Sequence, residues 1–396
     1  MSEVVIASAV RTAIGDFGGA LSGLAPCELG TLVAREAIAR AGIPAEAVEQ
    51  TVFGHVIHTA PEDMYISRVA AMRAGVPEPA PALTLNRLCG SGLQAVVTAA
   101  EQILLGRARI ALAGGAESMS RAGHLMSIRA GQKMGDARAV DMMLGALTDP
   151  FGRIHMGITA ENVAARDGID RGAQDAFALE SHRRAAAAIA EGRFRDQILP
   201  VAVSKNRKET VFDTDEHVRP GLTLDELARL RPAFQKDGSV TAGNASGIND
   251  GAAALVLMDG EAAREQGVRP LARIVSYGLG GVAPDLMGLG PIPATRQALH
   301  RAGLSVGDLS VIESNEAFAA LACAVSASLG FDPERVNPNG GAIALGHPVG
   351  ASGAIILTKL VHELNRSGGR YGLATMCSGG GQGISVIVEA AGEAGA

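Results

Sequence analysis

Aromatic residues make up only 3% of this 396-residue chain, charged residues make up only 19%, and there are only four cysteines. No two cysteines have Cys-x-x-Cys spacing, and the chain contains neither a His-Glu-x-x-His motif nor a P-loop. The chain therefore lacks the common sequence signatures of zinc-binding and nucleoside-triphosphate-binding sites, and we predict no metal site. The scattered cysteines fit a reduced cytoplasm better than a disulfide scaffold.

Long hydrophobic runs are also missing. No stretch approaches the roughly 18 consecutive apolar residues that suggest a transmembrane helix. The N-terminus becomes charged too early for a signal peptide, and the C-terminus carries no targeting motif. The net charge of −6 argues against nucleic acid or an anionic membrane as a partner. We therefore expect a cytoplasmic protein in which an anionic ligand would need a local basic pocket.

Small and apolar residues are abundant: 47% of the residues are hydrophobic, and 51 are glycine. With so few aromatic side chains, this composition indicates tightly packed helices and strands. The length is sufficient for two or three domains with deeply buried sheets.

The first part of the chain alternates strands and helices. Apolar patterns predict strands at Val4–Ala9, Thr51–His55, Leu83–Arg87 and Ile110–Ala113, and helices at Glu28–Ala41, Met64–Ala74 and from Gly90 to about Leu105. Such alternation implies a mostly parallel sheet with helices covering its faces.

The last part of the chain repeats this order. Strands are predicted at Ala272–Tyr277, Leu309–Glu313, Gly372–Met376 and Ile384–Glu389, and helices at Ala294–Ala302, Ala317–Leu329 and Ala351–Leu364. The first copy lacks its final strand until Ala252–Met258. We therefore predict two similar α/β halves, residues 1–117 with 250–270 and residues 271–396, and an insertion at 118–249.

Cys89 lies between the third predicted strand and the next helix, in Leu88-Cys-Gly-Ser-Gly92. A thiol at a helix N-terminus meets unpaired N–H groups and the positive end of the helix dipole, which both favour the thiolate. Lowering a thiol pKa from about 8.5 to 7 takes roughly 2 kcal/mol, whereas the dipole supplies about 0.3–1 kcal/mol. If Cys89 is a nucleophile, a base such as histidine should therefore lie beside it.

This turn has two alternative interpretations besides a catalytic cysteine. Cys89 can be a buried, inert cysteine, as most intracellular cysteines are. Gly90–Ala95 also matches the dinucleotide pattern G-x-G-x-x-A. That match follows a third strand rather than a first one, and no clear acidic residue comes at the usual interval.

His347 occupies the equivalent turn of the second copy, in Gly346-His-Pro-Val-Gly350. If the two copies pack about a pseudo-two-fold axis, the turns of Cys89 and His347 approach each other. The glycines allow another group to come close, so His347 is a candidate for the base. A hydrogen-bonded surface histidine is the alternative.

Cys377 and Asn315 are further candidates. Cys377 ends a β-rich run and precedes Ser378-Gly-Gly-Gly-Gln-Gly383, whose backbone can direct N–H groups at a ligand. The alternative interpretation is that Cys377 is a small residue of the hydrophobic core, followed by a turn. Asn315 lies at a predicted strand-to-helix switch, where it can also cap the helix.

The remaining cysteines and one histidine pair are predicted to be structural. Cys27 and Cys323 lie in or beside helical patterns without a basic neighbour or a glycine turn. His55 and His58 form an isolated His-x-x-His, which does not suffice for a metal site.

These motifs resemble the signature blocks of the thiolase family. The matching stretches, in the family's order, are Asn86-Arg-Leu-Cys-Gly-Ser-Gly-Leu-Gln94, Val240-Thr-Ala-Gly-Asn-Ala-Ser-Gly-Ile-Asn-Asp-Gly251, Asn315-Glu-Ala-Phe318, Gly340-Gly-Ala-Ile-Ala-Leu-Gly-His-Pro-Val-Gly-Ala-Ser-Gly353 and Cys377-Ser-Gly-Gly-Gly-Gln-Gly383. The resemblance spans essentially the whole chain. It is greatest to bacterial acetyl-CoA acetyltransferases and β-ketothiolases of the biosynthetic type.

The resemblance implies an α/β thiolase fold, in which two βαβαβαββ halves form five α-β-α-β-α layers with an inserted loop domain. It also implies a dimer or, more often in this subgroup, a homotetramer built as a dimer of dimers. The inserted domain would bind CoA and contribute to oligomer contacts.

The resemblance also assigns catalytic roles. Cys89 would accept the acyl group, and His347 would activate it. Cys377 would remove or return the α-proton. Asn315 would hold a water that forms one oxyanion hole with His347, and the backbone N–H groups of Cys89 and Gly379 would form the other.

Coenzyme A contacts carry over mainly onto the insertion. The matching positions for pantetheine, nucleotide and acyl contacts are Leu147, His155, Met156, Arg219, Phe234, Ala242, Gly243, Ser246, Met287 and Phe318. Two positions depart from the family pattern: Glu226 stands near the expected adenine pocket where relatives often have a small polar residue, and Ser378 stands where close relatives often have an aliphatic one.

The expected activity is reversible Claisen condensation of acetyl-CoA with a short acyl-CoA. Acetyl-CoA, acyl-CoA and free CoA are then substrates, and no cofactor is needed. The same fold would also suit a decarboxylating ketoacyl synthase, although Cys377 argues against it, or a thiolase dedicated to degradation. A lipid-binding relative should have lost a reactive residue, and a nicotinamide dehydrogenase is the rival from another class.

Overall fold

The computed structural model describes residues 3–129, 131–205 and 208–391. The strands are β1 (Val4–Thr12), β2 (Gly15–Asp16), β3 (Gln50–Gly54), β4 (Ala82–Leu85), β5 (Ile110–Ser118), β6 (His124–Met126), β7 (Ala139–Asp141), β8 (Ile198–Leu199), β9 (Val201–Lys205), β10 (Lys208–Phe212), β11 (Asn249–Asp259), β12 (Ala272–Gly281), β13 (Leu309–Ser314), β14 (Tyr371–Ser378) and β15 (Gln382–Ala390).

The α-helices are α1 (Pro26–Ala41), α2 (Ile66–Arg73), α3 (Ser91–Leu104), α4 (Met142–Ala146), α5 (Met156–Asp167), α6 (Arg171–Ala190), α7 (Leu224–Ala228), α8 (Gly260–Glu265), α9 (Pro291–Ala302), α10 (Ala319–Leu329), α11 (Ala342–Leu345) and α12 (Val349–Ser367). Short 3-10 helices lie at Ala45–Ala47, Pro61–Tyr65, Met119–Arg121, Pro284–Leu289 and Val306–Asp308. None of the described helices combines the length and apolar character needed to cross a membrane.

Eleven of the described strands form one sheet whose main path is β13-β14-β15-β12-β1-β11-β5-β3-β4, with β2 and β8 off this path. The pairs β6–β7 and β9–β10 form two separate two-stranded sheets. The two halves share one strand order. In the first half β1 lies beside β11, followed by β5, β3 and β4, and in the second half β12 lies beside β15, followed by β14 and β13. The third strand of the second half, which would correspond to β4, is reduced to a single bridge between Ile312 and Val336. The halves join where β1 pairs with β12, at Val5–Arg273 and Ile6–Ala272.

The prediction of a mostly parallel sheet is wrong. Only β4-β3-β5 and β13-β14 are parallel, and the other pairs along the main path are antiparallel. β14 and β15 are joined by a short turn, which forces antiparallel pairing. A single crossover helix is the usual connection between adjacent parallel strands. β5 and β11 are joined instead by a long segment that contains β6 to β10, so this connection does not impose a parallel direction on β11.

The layers nevertheless follow the alternation in the sequence. Helices α1 and α2 cover the outer side of the first-half strands, and α9 covers the outer side of the second-half strands. Between the half-sheets lie α3 and α12, which pack against strands of both halves and share one buried apolar core. The fold is thus the expected five-layered arrangement.

Glycines allow α3 and α12 to approach each other closely. A Cβ added to Gly92 would lie 2.7 Å from the backbone nitrogen of Ala354, and one added to Gly353 would lie 2.2 Å from the backbone nitrogen of Leu93. Because both helices begin directly after the turns of Cys89 and His347, this close crossing brings the two turns to the same region.

The segment between β5 and β11 covers this region. It contains β6 to β10 and α4 to α7. A fully buried ion pair ties it to the first strand, since Arg11 Nη1 lies 2.7 Å from Asp215 Oδ1. The domain boundaries at residues 117, 249 and 270 stay a prediction.

Candidate active site

The turn between β4 and α3 presents Cys89. Leu88 has a φ of 48°, a left-handed conformation that a branched residue adopts only when its surroundings hold it. The side chain of Asn86 accepts a 2.8 Å hydrogen bond from Leu88 N–H, and the hydroxyl of Ser91 accepts one of 2.8 Å from Arg87 N–H. Side chains around the turn therefore fix the backbone that carries the sulfur.

Burial determines the protonation of Cys89. It raises the pKa of the thiol to about 11, although the N–H groups of Gly379 and of Cys89 itself lower that pKa by hydrogen bonding to the sulfur. The backbone donors favour the thiolate, as expected, but desolvation outweighs them. As predicted from the sequence, the helix N-terminus alone does not suffice, and a base is needed beside the sulfur.

His347 has the properties of such a base. Its Nδ1 lies 2.6 Å from the hydroxyl of Ser352, which donates its own proton to Pro348 O at 3.0 Å. The arrangement therefore assigns the ring proton to Nδ1 and leaves the lone pair on Nε2. Nε2 is buried and has no hydrogen-bond partner among the described residues, and burial lowers the pKa of His347 to about 4. At neutral pH the imidazole can accept a proton.

The backbone around His347 is also fixed. Its N–H donates to Asn249 Oδ1 at 2.9 Å, and the preceding Gly346 has a φ of 110°, which only glycine adopts readily. No hydrogen bond joins Cys89 to His347 within the described part of the chain, but both side chains line one cavity.

Cys377 lies at the end of β14 and is only 2% exposed. It packs in an apolar cluster with Met156, Met287 and Phe318 rather than on the cavity wall. Burial raises its pKa, and the charge of Cys89 raises it further. The next residue, Ser378, accepts a 3.2 Å hydrogen bond from Gly90 N–H, so the segments that carry the two cysteines adjoin. The structure therefore brings together the two thiols, which are distant in the sequence.

Asn315 lies between β13 and α10, and its N–H donates to Thr375 O at 2.9 Å. Its side-chain Nδ2 is buried without a partner among the described residues, as His347 Nε2 is. Asn315 does not line the main cavity. It lines a small neighbouring void together with Glu313 and Ser352.

The main cavity has a volume of about 410 Å³. Twelve of the predicted site residues line it: Cys89, Leu147, His155, Met156, Arg219, Phe234, Ala242, Ser246, Met287, Phe318, His347 and Gly379. An adjoining cavity of about 260 Å³ shares Ala242 and Arg219 and adds Gly243 and Glu226. The two cavities form a path from the exposed side chain of Arg219 to the half-buried thiol of Cys89.

Aromatic rings form one wall of the main cavity. The ring of His155 stacks on Phe234 with centroids 4.7 Å apart, and Phe234 meets Phe318 edge to face at 5.9 Å. Gly157 is required beneath this stack, because a Cβ there would lie 2.3 Å from the Phe234 ring. The wall is therefore apolar and closely packed, which suits a narrow apolar ligand segment.

The family models decide the identity. A model of the thiolase N-terminal domain matches residues 4–261, and a model of the thiolase C-terminal domain matches residues 268–390. The chain belongs to the thiolase family.

Individual relatives agree with this assignment. "Beta-ketothiolase BktB" of Cupriavidus necator is 63% identical over 98% of this chain and 99% of its own length. "Acetyl-CoA acetyltransferase" of Shinella zoogloeoides is 52% identical over 98% of each chain. The crystal structure of human mitochondrial 3-ketoacyl-CoA thiolase in complex with CoA is 42% identical, with a TM-score of 0.95 over 98% of each chain. The predicted family and fold are confirmed.

The two departures from the family pattern have different surroundings in this thiolase. Glu226 caps helix α7, where its carboxylate accepts hydrogen bonds of 2.9 and 2.8 Å from the N–H and hydroxyl of Thr223. Ser378 is fully buried against the Cys89 turn and bonds to Gly90 and Arg87.

Several residues of the site had no predicted role. Ser352 orients His347, and Asn249 holds its backbone. Glu117 accepts a 2.9 Å hydrogen bond from Gly350 N–H and so fixes the start of α12 beside His347. Ser352 and Asn249 lie in the quoted motifs, but only the tertiary contacts reveal what they hold, and no local pattern distinguishes Glu117.

The other cysteines and the His-x-x-His pair lie outside the main cavity. Cys27 Sγ donates to Asp63 Oδ1 at 3.4 Å, and Cys323 is half-buried in α10. His55 stacks on His58 with centroids 5.3 Å apart. Residues 3–129, 131–205 and 208–391 contain no group of three or more His, Cys, Asp or Glu side chains arranged to hold a metal ion.

Proposed function

We propose that this thiolase catalyses the reversible Claisen condensation of acetyl-CoA with a short-chain acyl-CoA, and the reverse thiolysis, through an acyl-cysteine intermediate. The observation that carries the proposal is the pair of thiols on adjoining segments, Cys89 and Cys377, together with the buried Nε2 of His347, which has no hydrogen-bond partner in the described part of the chain. The relatives named above, a β-ketothiolase and an acetyl-CoA acetyltransferase, support the same chemistry.

In the first half-reaction, Cys89 attacks the thioester carbonyl carbon of acetyl-CoA. The thiol proton passes to Nε2 of His347, the bond from carbon to the CoA sulfur breaks, and the CoA thiolate leaves with that proton. The resting protonation states support this sequence, because the thiol still holds its proton and the imidazole is neutral. Since free CoA leaves before the second substrate reacts, the kinetics are ping-pong.

In the second half-reaction, Cys377 acts on the α-carbon of the incoming acetyl-CoA. Cys377 first gives its own proton to Nε2 of His347, and its thiolate then removes an α-proton. The enolate carbon attacks the acetyl group on Cys89, and the Cys89 sulfur leaves and takes the proton back from Nε2. An enolate needs donors aimed at its oxygen, and removing one such donor commonly costs about 10²–10³-fold in rate. Nε2 of His347, once it carries the proton, and Nδ2 of Asn315 support one oxyanion site, which a water held by Asn315 would complete; neither atom has a hydrogen-bond partner among the described residues. The N–H groups of Cys89 and Gly379 support the other.

Coenzyme A would enter through the two adjoining cavities. Arg219 lines both and is exposed, so it can meet the phosphates, and His155, Phe234, Ala242, Gly243 and Ser246 would contact the pantetheine arm and nucleotide. Leu147, Met156, Met287 and Phe318 would limit the acyl chain. Because CoA thioesters are the substrates, we propose that the reaction uses no further cofactor.

We also propose that the chain acts in the cytoplasm as a homotetramer, a dimer of dimers. The hairpin of β6 and β7 supports further association, because Leu125, Met126 and Val140 expose large apolar side chains there. Exposed apolar side chains grouped on one element suit an interface.

Steady-state assays of acetoacetyl-CoA and its longer homologues with CoA test the proposal. We expect thiolysis with parallel ping-pong lines and the highest kcat/KM for short chains. A requirement for a malonyl thioester would instead identify a decarboxylating ketoacyl synthase, and a preference for long chains would favour a degradative thiolase. An absorbance change that depends on NADH would identify a dehydrogenase.

A further inference from the structure

Ser378 follows Cys377 and links the second half of the protein to the turn of Cys89. Its hydroxyl is fully buried, donates to Arg87 O and accepts a 3.2 Å hydrogen bond from Gly90 N–H. It therefore contacts the backbone on both sides of Cys89.

Gln382 makes a second link between the same two segments. Its Oε1 accepts a 2.9 Å hydrogen bond from Arg87 Nη1, and its Nε2 donates to Gly379 O at 3.2 Å. The peptide of Gly379 is thus held from its carbonyl side while its N–H points at the sulfur of Cys89.

Integrity of the Cys89 turn does not require Ser378. Gly90 N–H also donates to Arg87 O at 3.1 Å, and Ser91 N–H donates to Leu88 O at 2.9 Å, so the turn closes on itself. The hydroxyl of Ser378 instead fixes the position of the closed turn relative to residues 378–382. This relative position sets the distance between the N–H groups of Cys89 and Gly379, which come from different halves of the chain.

We propose that Ser378, together with Gln382, is a positioning residue that holds the N–H groups of Cys89 and Gly379 in register so that they converge on one thioester oxygen. The inference rests on the proposed function and adds to it how one oxyanion site is assembled. Donors in an oxyanion site act only when they are already aimed, and a displacement of about 1 Å can cost about 10²-fold in rate.

The test compares Ser378→Ala with Ser385→Ala. Ser385 is also fully buried, on β15, and its hydroxyl bonds to Thr295 and Thr375 at 3.0 and 2.8 Å without touching the Cys89 turn. Both variants lose one buried hydroxyl. We expect acylation by acetyl-CoA to slow at least about tenfold in Ser378→Ala and to remain within about threefold of wild type in Ser385→Ala.

Two further measurements separate positioning from a general loss of structure. The pH dependence of Cys89 alkylation by iodoacetamide should move to higher pH in Ser378→Ala, because the Gly379 N–H would stabilise the thiolate less. Ser378→Thr, which keeps the hydroxyl, should recover most of the acylation rate. If Ser378→Ala does not fold, Gln382→Ala provides the same readouts, with a slower acylation and the same direction of the pH shift.

Acylation of Ser378→Ala at the wild-type rate, or an equal loss in Ser378→Ala and Ser385→Ala, would overturn the positioning role. An unchanged alkylation profile together with slow acylation would also count against it. A wild-type protein that forms no acyl-enzyme would overturn the proposed function itself, so the two failures can be distinguished.

Discussion

In the resting protein, Cys89 is a neutral thiol and His347 is a neutral imidazole. Burial raises the pKa of Cys89 to about 11 and lowers that of His347 to about 4, and both shifts disfavour the charged form. In the proposed mechanism, acyl transfer therefore begins without a preformed thiolate–imidazolium pair, and the proton moves once the substrate carbonyl and its N–H donors are in place.

The protonation states predict a pH profile for the free protein. Between pH 7 and 10, alkylation of Cys89 by iodoacetamide should accelerate about tenfold per pH unit, because only the thiolate fraction reacts and the thiol pKa lies above that range. Peptide mass spectrometry assigns the modified residue. A plateau below about pH 8 would show that an ion pair exists at rest.

Acylation by acetyl-CoA should depend on pH differently. It requires neutral His347, so its rate should vary little near neutrality and fall as the pH decreases toward the His347 pKa of about 4. A loss of acylation between pH 7 and 6 would contradict this assignment.

The residues proposed to react have local sequence signals that the residues holding them in place lack. Cys89, His347, Cys377 and Asn315 lie in glycine-rich or strand-end motifs, where local sequence indicates an exposed backbone or a turn. Ser352 and Glu117 act through single contacts with distant backbone or side chains, and such contacts leave no periodic signal. The size of the desolvation at Cys89 could not be predicted, because the burial of a turn cannot be read from its own residues.

At the scale of the elements, the crossing of α3 and α12 carries the site. Each helix begins at one reactive turn, and Gly92 and Gly353 let the two backbones approach. Alanine is normally better than glycine inside a helix by about 1 kcal/mol. Here the added methyl group would meet backbone atoms that cannot rotate away, so the steric cost should exceed the gain in propensity.

Gly353→Ala should therefore lower both stability and activity. The Cβ would lie 2.2 Å from Leu93 N, so we expect a loss of about 3 kcal/mol in the free energy of unfolding, measured by chemical denaturation. Gly23→Ala is the matched control, because nothing lies within 4 Å of its added Cβ and its φ is not positive. Its stability should stay the same or rise by up to about 1 kcal/mol. Equal stability of the two variants would contradict the close-crossing account.

The order of helices and strands could be predicted because each element has its own periodicity. The directions of the strands could not. β11 follows a long segment and β15 follows a tight turn, so connections outside the strands set their orientation. The third strand of the second half, reduced to the bridge of Ile312 with Val336, was not predicted either, because a single bridge has no pattern.

On the scale of the whole molecule, an acidic protein must bind a polyanionic substrate. The net charge is −6, so attraction has to come from the cavity entrance rather than from the overall field. Arg219 is exposed at the point shared by both cavities. Its guanidinium can pair with the phosphates of CoA while the apolar wall receives the rest of the molecule.

Arg219→Ala should raise KM for acetyl-CoA about 10–100-fold, the effect of losing one charge-assisted contact, with little change in kcat. Thioesters of N-acetylcysteamine, which lack the nucleotide and phosphates, should react equally well with both proteins. The control is Arg195→Ala, since Arg195 is also exposed but lines a separate cavity. An equal rise in KM for the truncated thioester would show that Arg219 supports the fold rather than the phosphates.

The central claim is that Cys89 and Cys377, each from its own half, perform two separate steps in one site. Mass spectrometry of wild type, Cys89→Ser and Cys377→Ser after incubation with acetyl-CoA tests it most directly. We predict one acetyl group on the peptide containing residue 89 in wild type and Cys377→Ser, none in Cys89→Ser, and acetoacetyl-CoA from wild type alone. Acetylation of another residue, or condensation by Cys377→Ser at the wild-type rate, would contradict the account.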